Sequence, residues 1–347
     1  MRPKRIILLV LLLVAALFML KESKDILGFY QKESISSSSV RYDELAWEEV
    51  PMDHDRLELA IKRHQLKEVV KAPNKTNVHV DPADGIRDTL SDITSDDGYA
   101  VPSLVHFTWY GKPHMRFHHM VCFLSVYYRI KPKRILMWYE SKPEGEYWDY
   151  LKKNITDFSK LVRLVYRKAP TAIFGRPIRV TEHKSDIVRL EAVMNYGGIY
   201  LDLDVMVIKS FDPLRRYDVT LGMEHNKGLC NGIIIAKKGA EFLKIWHSEY
   251  KTFNDGSWDG HSIRLPFKLS QQYPNLIHVE TDTLNRPSWF ELDKIYGKKP
   301  YDWHRNFAMH LWYRKYNKDH NFQTIKTVDS TMGQMFRWTL YGHPGVM

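Results

Sequence analysis

The chain has 347 residues, of which 44% are hydrophobic and 13% aromatic. This content is enough for a sizeable core and excludes an intrinsically disordered chain. Two cysteines exclude a disulfide scaffold, and a net charge of +10 indicates a basic surface that attracts anionic partners.

The first segment reads MRPKRIILLVLLLVAALFMLKESK, with basic residues in 1–5 and an uncharged apolar run at 6–20. Because no small-x-small cleavage site follows the run, we expect an uncleaved signal-anchor helix at 6–20. Residues 1–5 would form a cytoplasmic tail and the rest would be lumenal. A cleaved signal peptide is the alternative. A span this short suits the thin membranes of the early secretory pathway.

Residues 21–100 contain a serine-rich stretch and an acidic, turn-rich stretch, which together predict a lumenal stem. Asn74 and Asn154 each begin an N-x-T triplet and are predicted N-glycosylation sites, consistent with a lumenal chain. A lumenal location excludes nucleic acid as a partner. The sequence leaves open whether Cys122 and Cys230 form a disulfide or remain buried thiols.

Strand and helix patterns alternate from residue 101 onward. The predicted strands are 101–111, 134–140, 161–167, 199–208, 231–237, 276–280 and 307–313. The predicted helices are 119–130, 146–159, 185–198 and 240–250. This alternation predicts an α/β catalytic domain over 101–347 with a mostly parallel central sheet.

The helix predicted at 185–198 has Ser185 as its expected N-cap and Gly197 as its expected stop. Asp186 and Arg189 stand three residues apart and therefore share one face of the helix. That spacing alone fits either a functional pair or a capping aspartate with a surface ion pair.

In the strand that follows, Tyr200, Asp202 and Asp204 are expected to point to one side. Two carboxylates on one face repel each other unless a cation lies between them, and Mg²⁺ and Mn²⁺ favour such oxygen ligands. Alternatives are two aspartates at the polar end of a strand, or a haloacid-dehalogenase-type phosphatase, which also has D-x-D after an apolar strand. About five elements precede the motif here, and no later G-D-x-x-x-D follows, which disfavours that phosphatase class.

The stretch S-D-I-V-R-L-E-A-V-M-N-Y-G-G-I-Y-L-D-L-D, 185–204, resembles the signature of glycosyltransferases with the DXD sugar-binding region. That family includes α-1,4-galactosyl- and α-1,4-N-acetylglucosaminyltransferases and yeast initiating mannosyltransferases, and its core is similar to the clostridial glucosylating toxins. The resemblance extends over about 101–312. It implies a GT-A fold, a nucleotide-sugar donor, Mn²⁺ or Mg²⁺, and retention of the anomeric configuration.

The resemblance also implies three overlapping sets of site residues. It assigns catalytic roles to Asp186, Arg189, Asp202 and Asp204. It assigns donor binding to Trp109, Asp186, Arg189, Tyr200, Asp202 and Asn231, with Trp109 stacking on the donor base. It assigns metal binding to Asp202, Asp204 and His310. At 259–261 the chain has D-G-H where several relatives carry a T-G-P-like element, so acceptor contacts there do not carry over.

The predicted signal-anchor and the family resemblance together imply a single-pass type II enzyme of the Golgi membrane. It would transfer a hexose or N-acetylhexosamine, from UDP-galactose or UDP-N-acetylglucosamine, to a glycan or glycolipid acceptor. The alternative is a catalytically inactive lumenal homologue that binds glycans. The intact D-x-D, with Asp186 and Arg189 also present, argues against such a loss of activity.

Overall fold

The computed structural model describes residues 98–111, 113–298 and 301–347. The predicted cytoplasmic tail, the membrane anchor and the stem up to residue 97, including Asn74, lie outside these residues. Within them, no helix combines the length and the apolar character needed to cross a membrane.

A seven-stranded sheet forms the centre of the described chain. Two smaller sheets, β4-β5 and β7-β11, have two strands each. In chain order, the strands of all three sheets are β1 Leu104–Trp109, β2 Arg134–Tyr139, β3 Val162–Tyr166, β4 Ala172–Ile173, β5 Arg176–Pro177, β6 Gly198–Leu201, β7 Val205–Val207, β8 Val219–His225, β9 Gly228–Ala236, β10 His278–Glu280 and β11 Ala308–His310. The large sheet has the order β10-β8-β9-β6-β1-β2-β3, and β9 alone runs antiparallel to its neighbours. The predicted α/β class with a mostly parallel sheet is therefore confirmed.

Helices connect and cover these strands. They are α1 Phe117–Arg129, α2 Glu146–Asn154, α3 Phe158–Leu161, α4 Thr181–Tyr196, α5 Glu241–Ser248, α6 Leu265–Gln272, α7 Leu292–Tyr296, α8 Tyr313–Tyr316 and α9 Thr331–Tyr341. The single helix expected at 146–159 is two helices, because Asp157 takes a left-handed conformation with φ of 53° between α2 and α3.

The sheet is covered on both faces, so its central strands are almost entirely buried. Every residue of β9 is buried. Alternate side chains of this strand enter different core clusters, since successive side chains point to opposite faces. Ile233 and Ile235 pack in the cluster that contains α1, whereas Ile234 packs with α4 and α5.

Helix α4 begins earlier than the sequence indicated. It starts at Thr181 with Val180 as N-cap, so the assignment of Ser185 as N-cap is wrong. Asp186 consequently lies beyond the first turn and gains little from the helix dipole. The helix ends at Tyr196 with Gly197 as its C-cap, which is the stop that the sequence predicted, and this glycine has a φ of 70°.

The strand predicted at 199–208 is interrupted at the D-x-D motif. Strand β6 ends at Leu201, and a turn closed by a 3.0 Å hydrogen bond from the Val205 N–H to the Asp202 carbonyl follows it. The chain then continues as β7, which leaves the large sheet and pairs with β11. The two aspartates therefore belong to a turn between two sheets, not to one straight strand.

The turn from α4 into β6 requires glycine at Gly198. Its φ is 109°, and an added Cβ would collide with the carbonyl oxygen of Leu104. This close approach of two backbones allows β6 to pair with β1 directly after the helix ends.

We predict that Gly198→Ala lowers the free energy of unfolding by about 2–5 kcal/mol, because it adds a backbone clash to the strain of a positive φ. Gly239→Ala is the matched control, since Gly239 has a φ of 69° but open space around its Cβ position. That control should lose only about 1–2 kcal/mol. Denaturant unfolding measures both, and equal losses would contradict the packing argument.

Candidate active site

Acidic, basic and imidazole side chains from four parts of the fold meet at the end of β6. Helix α4 supplies Asp186 and Arg189, the turn after β6 supplies the two aspartates of D-x-D, and β9 and β11 supply Asn231 and His310. Asp186, Arg189, Asn231 and His310 are all buried, with exposed fractions of 8% or less. Buried polar groups of this kind require partners, and most of them find partners in one another.

Arg189 is the centre of this network. Its Nη1 donates to the Asp202 Oδ2 at 3.2 Å and to the Asn231 backbone oxygen at 3.0 Å. Its Nη2 lies 3.5 Å from Asp186 Oδ1, which also accepts a 2.7 Å hydrogen bond from Asn231 Nδ2. Burial by itself lowers the pKa of Arg189, but Asp202, Tyr200 and Asp186 raise it above its usual value. The guanidinium therefore stays charged.

A chain of hydroxyl groups links the other side of Arg189 to Asp202. Arg189 Nη2 donates to Ser185 Oγ at 3.2 Å, Ser185 and Thr108 hydroxyls lie 2.6 Å apart, and Thr108 lies 2.9 Å from the Tyr200 hydroxyl. Tyr200 donates to Asp202 Oδ1 at 2.6 Å. A guanidinium only donates and a carboxylate only accepts, so each hydroxyl group in this series donates its proton in the direction from Arg189 to Asp202. The chain fixes the orientation of Asp202.

Asp202, Asp204 and His310 form a cluster of metal-ligating type. One ligand atom from each lies within 4.8 Å of the others. His310 Nε2 is 3.0 Å from Asp204 Oδ1 and 3.9 Å from Asp202 Oδ2. The Tyr313 backbone N–H holds the second oxygen of Asp204 at 3.0 Å. Two carboxylates and one imidazole are a donor set that fits Mn²⁺.

Gly232 leaves the space next to this cluster open. A Cβ at this position would lie 2.9 Å from Asp202 Oδ2 and 2.9 Å from His310 Cε1. Any side chain here would therefore press on two of the three candidate ligands. The residues present thus fit a divalent cation in chemistry and in available space.

The cluster carries a strong internal ion pair. Burial disfavours the charged imidazolium, yet Asp204 and Cys230 raise the pKa of His310 well above 6.5. Burial likewise disfavours the Asp204 carboxylate, but His310 and the Tyr313 N–H hold its pKa well below its usual range. In the metal-free protein a protonated His310 therefore balances the charge of Asp204.

Trp109 lies at an adjoining cleft. This cleft has a volume of about 690 Å³ and is lined by Thr108, Trp109, Tyr110, Pro113, His114, Arg116, His119 and Leu203. Leu203, the middle residue of D-x-D, connects the cleft to the candidate metal cluster. Trp109 is only 7% exposed, and its Nε1 has no hydrogen-bond partner within the described chain. Its predicted stacking on a donor base stays a prediction.

The structure brings seven of the predicted site residues together: Asp186, Arg189, Tyr200, Asp202, Asp204, Asn231 and His310. Asn154 ends α2, is half-buried, and donates its side-chain N–H to the Tyr150 carbonyl at 2.8 Å, and its glycosylation stays a prediction. Cys122 and Cys230 are both buried and free, so they do not form a disulfide.

Sequence reasoning missed four contributors to this site. Thr108 precedes the predicted Trp109, and Ser185 was given a capping role that it does not have. Cys230, which precedes the predicted Asn231, contacts His310. The fourth is the backbone N–H of Tyr313, and a backbone contact of this kind leaves no mark in the sequence.

Comparison with known proteins identifies the class of this site. Residues 126–220 match the family described as "Glycosyltransferase sugar-binding region containing DXD motif". The chain therefore carries the sugar-binding region of this glycosyltransferase family, and the family predicted from 185–204 is confirmed. The observed α/β fold with its mixed, mostly parallel sheet agrees with the fold class predicted together with that family.

Individual relatives have modest sequence identity to this chain and align with only part of it. "Glucan organizing enzyme 1" of Cryptococcus neoformans is 32% identical over 238 residues, which is 62% of this chain and 63% of that protein. "Glycosyltransferase afumC" of Aspergillus fumigatus is 27% identical over 146 residues, 38% of this chain and 33% of its own length. These alignments thus span less than two thirds of the relatives.

Among solved structures, the galactosyltransferase LgtC with donor and acceptor sugar analogues has a TM-score of 0.36 and 13% identity. That similarity covers 70% of this chain and 97% of LgtC. A likeness at this level identifies neither substrate nor reaction.

We predict that Mn²⁺ binding releases close to one proton at pH 7, because coordination by His310 Nε2 displaces the proton that Asp204 stabilises there. Apparent affinity should rise with pH up to the raised pKa of His310. Calorimetric titration in buffers of different ionisation enthalpy counts the released protons. His310→Gln is the control and should release none. An observed heat that is independent of the buffer would contradict this account.

Proposed function

We propose that the protein is a metal-dependent glycosyltransferase that moves a hexose or N-acetylhexosamine from a nucleotide sugar to a glycan or glycolipid. One observation carries the proposal. The cluster of Asp202, Asp204 and His310 is joined through Asp202 to the buried charge of Arg189, within a sequence region that matches DXD-containing glycosyltransferases.

Two unpaired N–H groups support an oxygen-rich ligand at this place. Arg189 Nε and Trp109 Nε1 are buried and have no partner in the described chain. Leaving a buried donor unpaired costs about 1–3 kcal/mol, so such groups indicate a ligand that accepts hydrogen bonds. Phosphate, ribose and sugar oxygens are acceptors of this kind.

The chain's own residues position the reacting groups. The hydroxyl chain and Arg189 hold Asp202, while His310 and the Tyr313 N–H hold Asp204. Asp202, Asp204 and His310 would hold a divalent metal, whose positive charge would stabilise the negative charge on the departing nucleotide. Because the carboxylates are already oriented, little reorganisation is needed during the reaction.

We further propose a UDP-sugar donor, UDP-galactose or UDP-N-acetylglucosamine, and a reaction that retains the anomeric configuration. The resemblance of 185–204 to the α-1,4 enzymes supports both points. GDP-mannose is the second donor to consider, since the same resemblance includes initiating mannosyltransferases.

We predict that the full-length chain, solubilised in detergent with Mn²⁺, hydrolyses one donor of a panel that contains these three nucleotide sugars. Asp204→Asn should lower kcat/KM at least about 100-fold, because the metal supplies several kcal/mol of transition-state stabilisation. Asp218→Asn is the matched control, since Asp218 is exposed and pairs with Lys237. It should retain activity.

Folded protein that turns over no donor would reject the transferase. If that protein still binds a nucleotide sugar or a glycan, the inactive binding homologue is the correct alternative. Full activity in Asp204→Asn would reject the proposed role of the D-x-D cluster.

We also propose that the enzyme is a single-pass type II protein of the Golgi membrane. Support comes from the basic residues in 1–5, the apolar run at 6–20 and the two N-x-T triplets.

We predict that the chain made in eukaryotic cells remains in the membrane pellet after alkaline carbonate extraction. It should also lose mass on treatment with peptide-N-glycosidase, and Asn74→Gln with Asn154→Gln should abolish that loss. Secretion into the medium would favour a cleaved signal peptide, and an unglycosylated chain in the cytosol would contradict the topology.

A further inference from the structure

A buried thiol contacts the imidazole of the candidate metal cluster. Cys230 Sγ lies 3.4 Å from His310 Nδ1, and the opposite ring nitrogen, Nε2, lies 3.0 Å from Asp204 Oδ1. Cys230 is 1% exposed and His310 is 7% exposed. We propose that Cys230 is a positioning residue for the metal site, one that accepts the His310 Nδ1–H and thereby directs Nε2 towards Asp202 and Asp204.

The number of protons on the His310 ring determines which atom donates in this hydrogen bond. An imidazole that coordinates a metal through Nε2 is neutral and carries its one proton on Nδ1. The sulfur must then be the acceptor. Histidine ligands ordinarily donate this proton to a carboxylate, a carbonyl or water, and that second contact fixes the ring. Here the position of such a partner is occupied by a thiol.

The surroundings of Cys230 leave its sulfur free to accept. The Gly232 N–H donates to Sγ at 3.4 Å, so this sulfur already accepts one hydrogen bond from the adjacent backbone. A thiol sulfur is a weak acceptor as well as a weak donor, so it can accept from both the Gly232 N–H and the His310 Nδ1–H.

An irregularity between β8 and β9 gives Cys230 this location. Leu221 pairs with Ile234, but the next residue, Gly222, pairs with Cys230, so the register shifts by three residues. Residues 231–233 therefore leave the β8 ladder while Asp202 N–H still bonds the Gly232 carbonyl. Such bulges redirect side chains and occur next to functional sites. The bulge in β9 brings Asn231 into contact with Asp186 and Cys230 into contact with His310.

The alternative is that Cys230 only fills space in the core. Cys122 offers a matched control, because it is also a free cysteine with 1% exposure, and it packs in the core cluster of α1. A packing role predicts similar consequences for removal of either thiol. A positioning role predicts a consequence for metal binding at Cys230 alone.

The test compares Cys230→Ala, Cys230→Ser and Cys122→Ala in the full-length chain. Mn²⁺ affinity is measured without nucleotide, from the electron paramagnetic resonance signal of free Mn²⁺. Cys230→Ala should raise Kd about 10–100-fold, the usual effect of losing such a partner. Cys230→Ser keeps an acceptor and should restore most of the affinity. Cys122→Ala should bind Mn²⁺ like the unchanged chain.

A second measurement needs no cysteine variant. In the unchanged chain loaded with Zn²⁺, nitrogen-15 shifts of His310, assigned with His310→Gln, should report a protonated Nδ1 and a metal-bound Nε2. The reverse arrangement would overturn the proposal. So would unchanged Mn²⁺ affinity in Cys230→Ala, or an equal loss in the alanine and serine variants.

The inference rests on the proposed metal centre but not on sugar transfer. If the unchanged chain binds no Mn²⁺, the metal centre and this inference both fail. If it binds Mn²⁺ and the variants behave as expected but no donor is turned over, the proposed function fails and the role of Cys230 stands.

Discussion

The pairing of the buried Arg189 charge with Asp202 is the constraint on which the site depends. A guanidinium that is 6% exposed needs a paired charge, and here both Nη groups of Arg189 donate hydrogen bonds. Its partners come from α4, from the turn after β6 and from β9. Folding therefore has to bring these three elements together, and removal of one partner would leave an uncompensated buried charge.

This pairing also lets two aspartates lie close together. Asp202 is balanced by Arg189, and Asp204 is balanced by His310, so each carboxylate has its own positive neighbour. The two halves meet in a cluster whose ligand atoms are within 4.8 Å. A divalent cation bound at this cluster would add charge where the chain has concentrated acceptors, and it would compete there with a proton on His310. Metal binding and proton binding would consequently be linked at one imidazole.

Local patterns predicted the elements of this site better than its geometry. The helix that carries Asp186 and Arg189 was predicted, and Gly197 caps its end as expected, although the helix begins earlier, at Thr181. The interruption after Leu201 was not predictable from the run I-Y-L-D-L-D-V-M-V-I, because pairing with β11, about 100 residues later, draws β7 out of the sheet. Ser185 resembled a cap, but its hydroxyl serves the chain between Arg189 and Thr108.

Contacts between residues far apart in the chain could not be predicted from the sequence pattern. His310 was assigned to the metal only through the family resemblance, since no local spacing connects it to Asp204, 106 residues earlier. The contact of Cys230 with His310 spans 80 residues and depends on an irregular register between β8 and β9. Such features follow from tertiary packing and not from periodicity.

Anomalous scattering at the manganese absorption edge tests the central claim most directly, with crystals grown in Mn²⁺ and a nucleoside diphosphate. The account predicts one strong peak within coordination distance of Asp202, Asp204 and His310, with the diphosphate on the same ion. A peak at other residues, or nucleotide bound with no ion at this cluster, would contradict it.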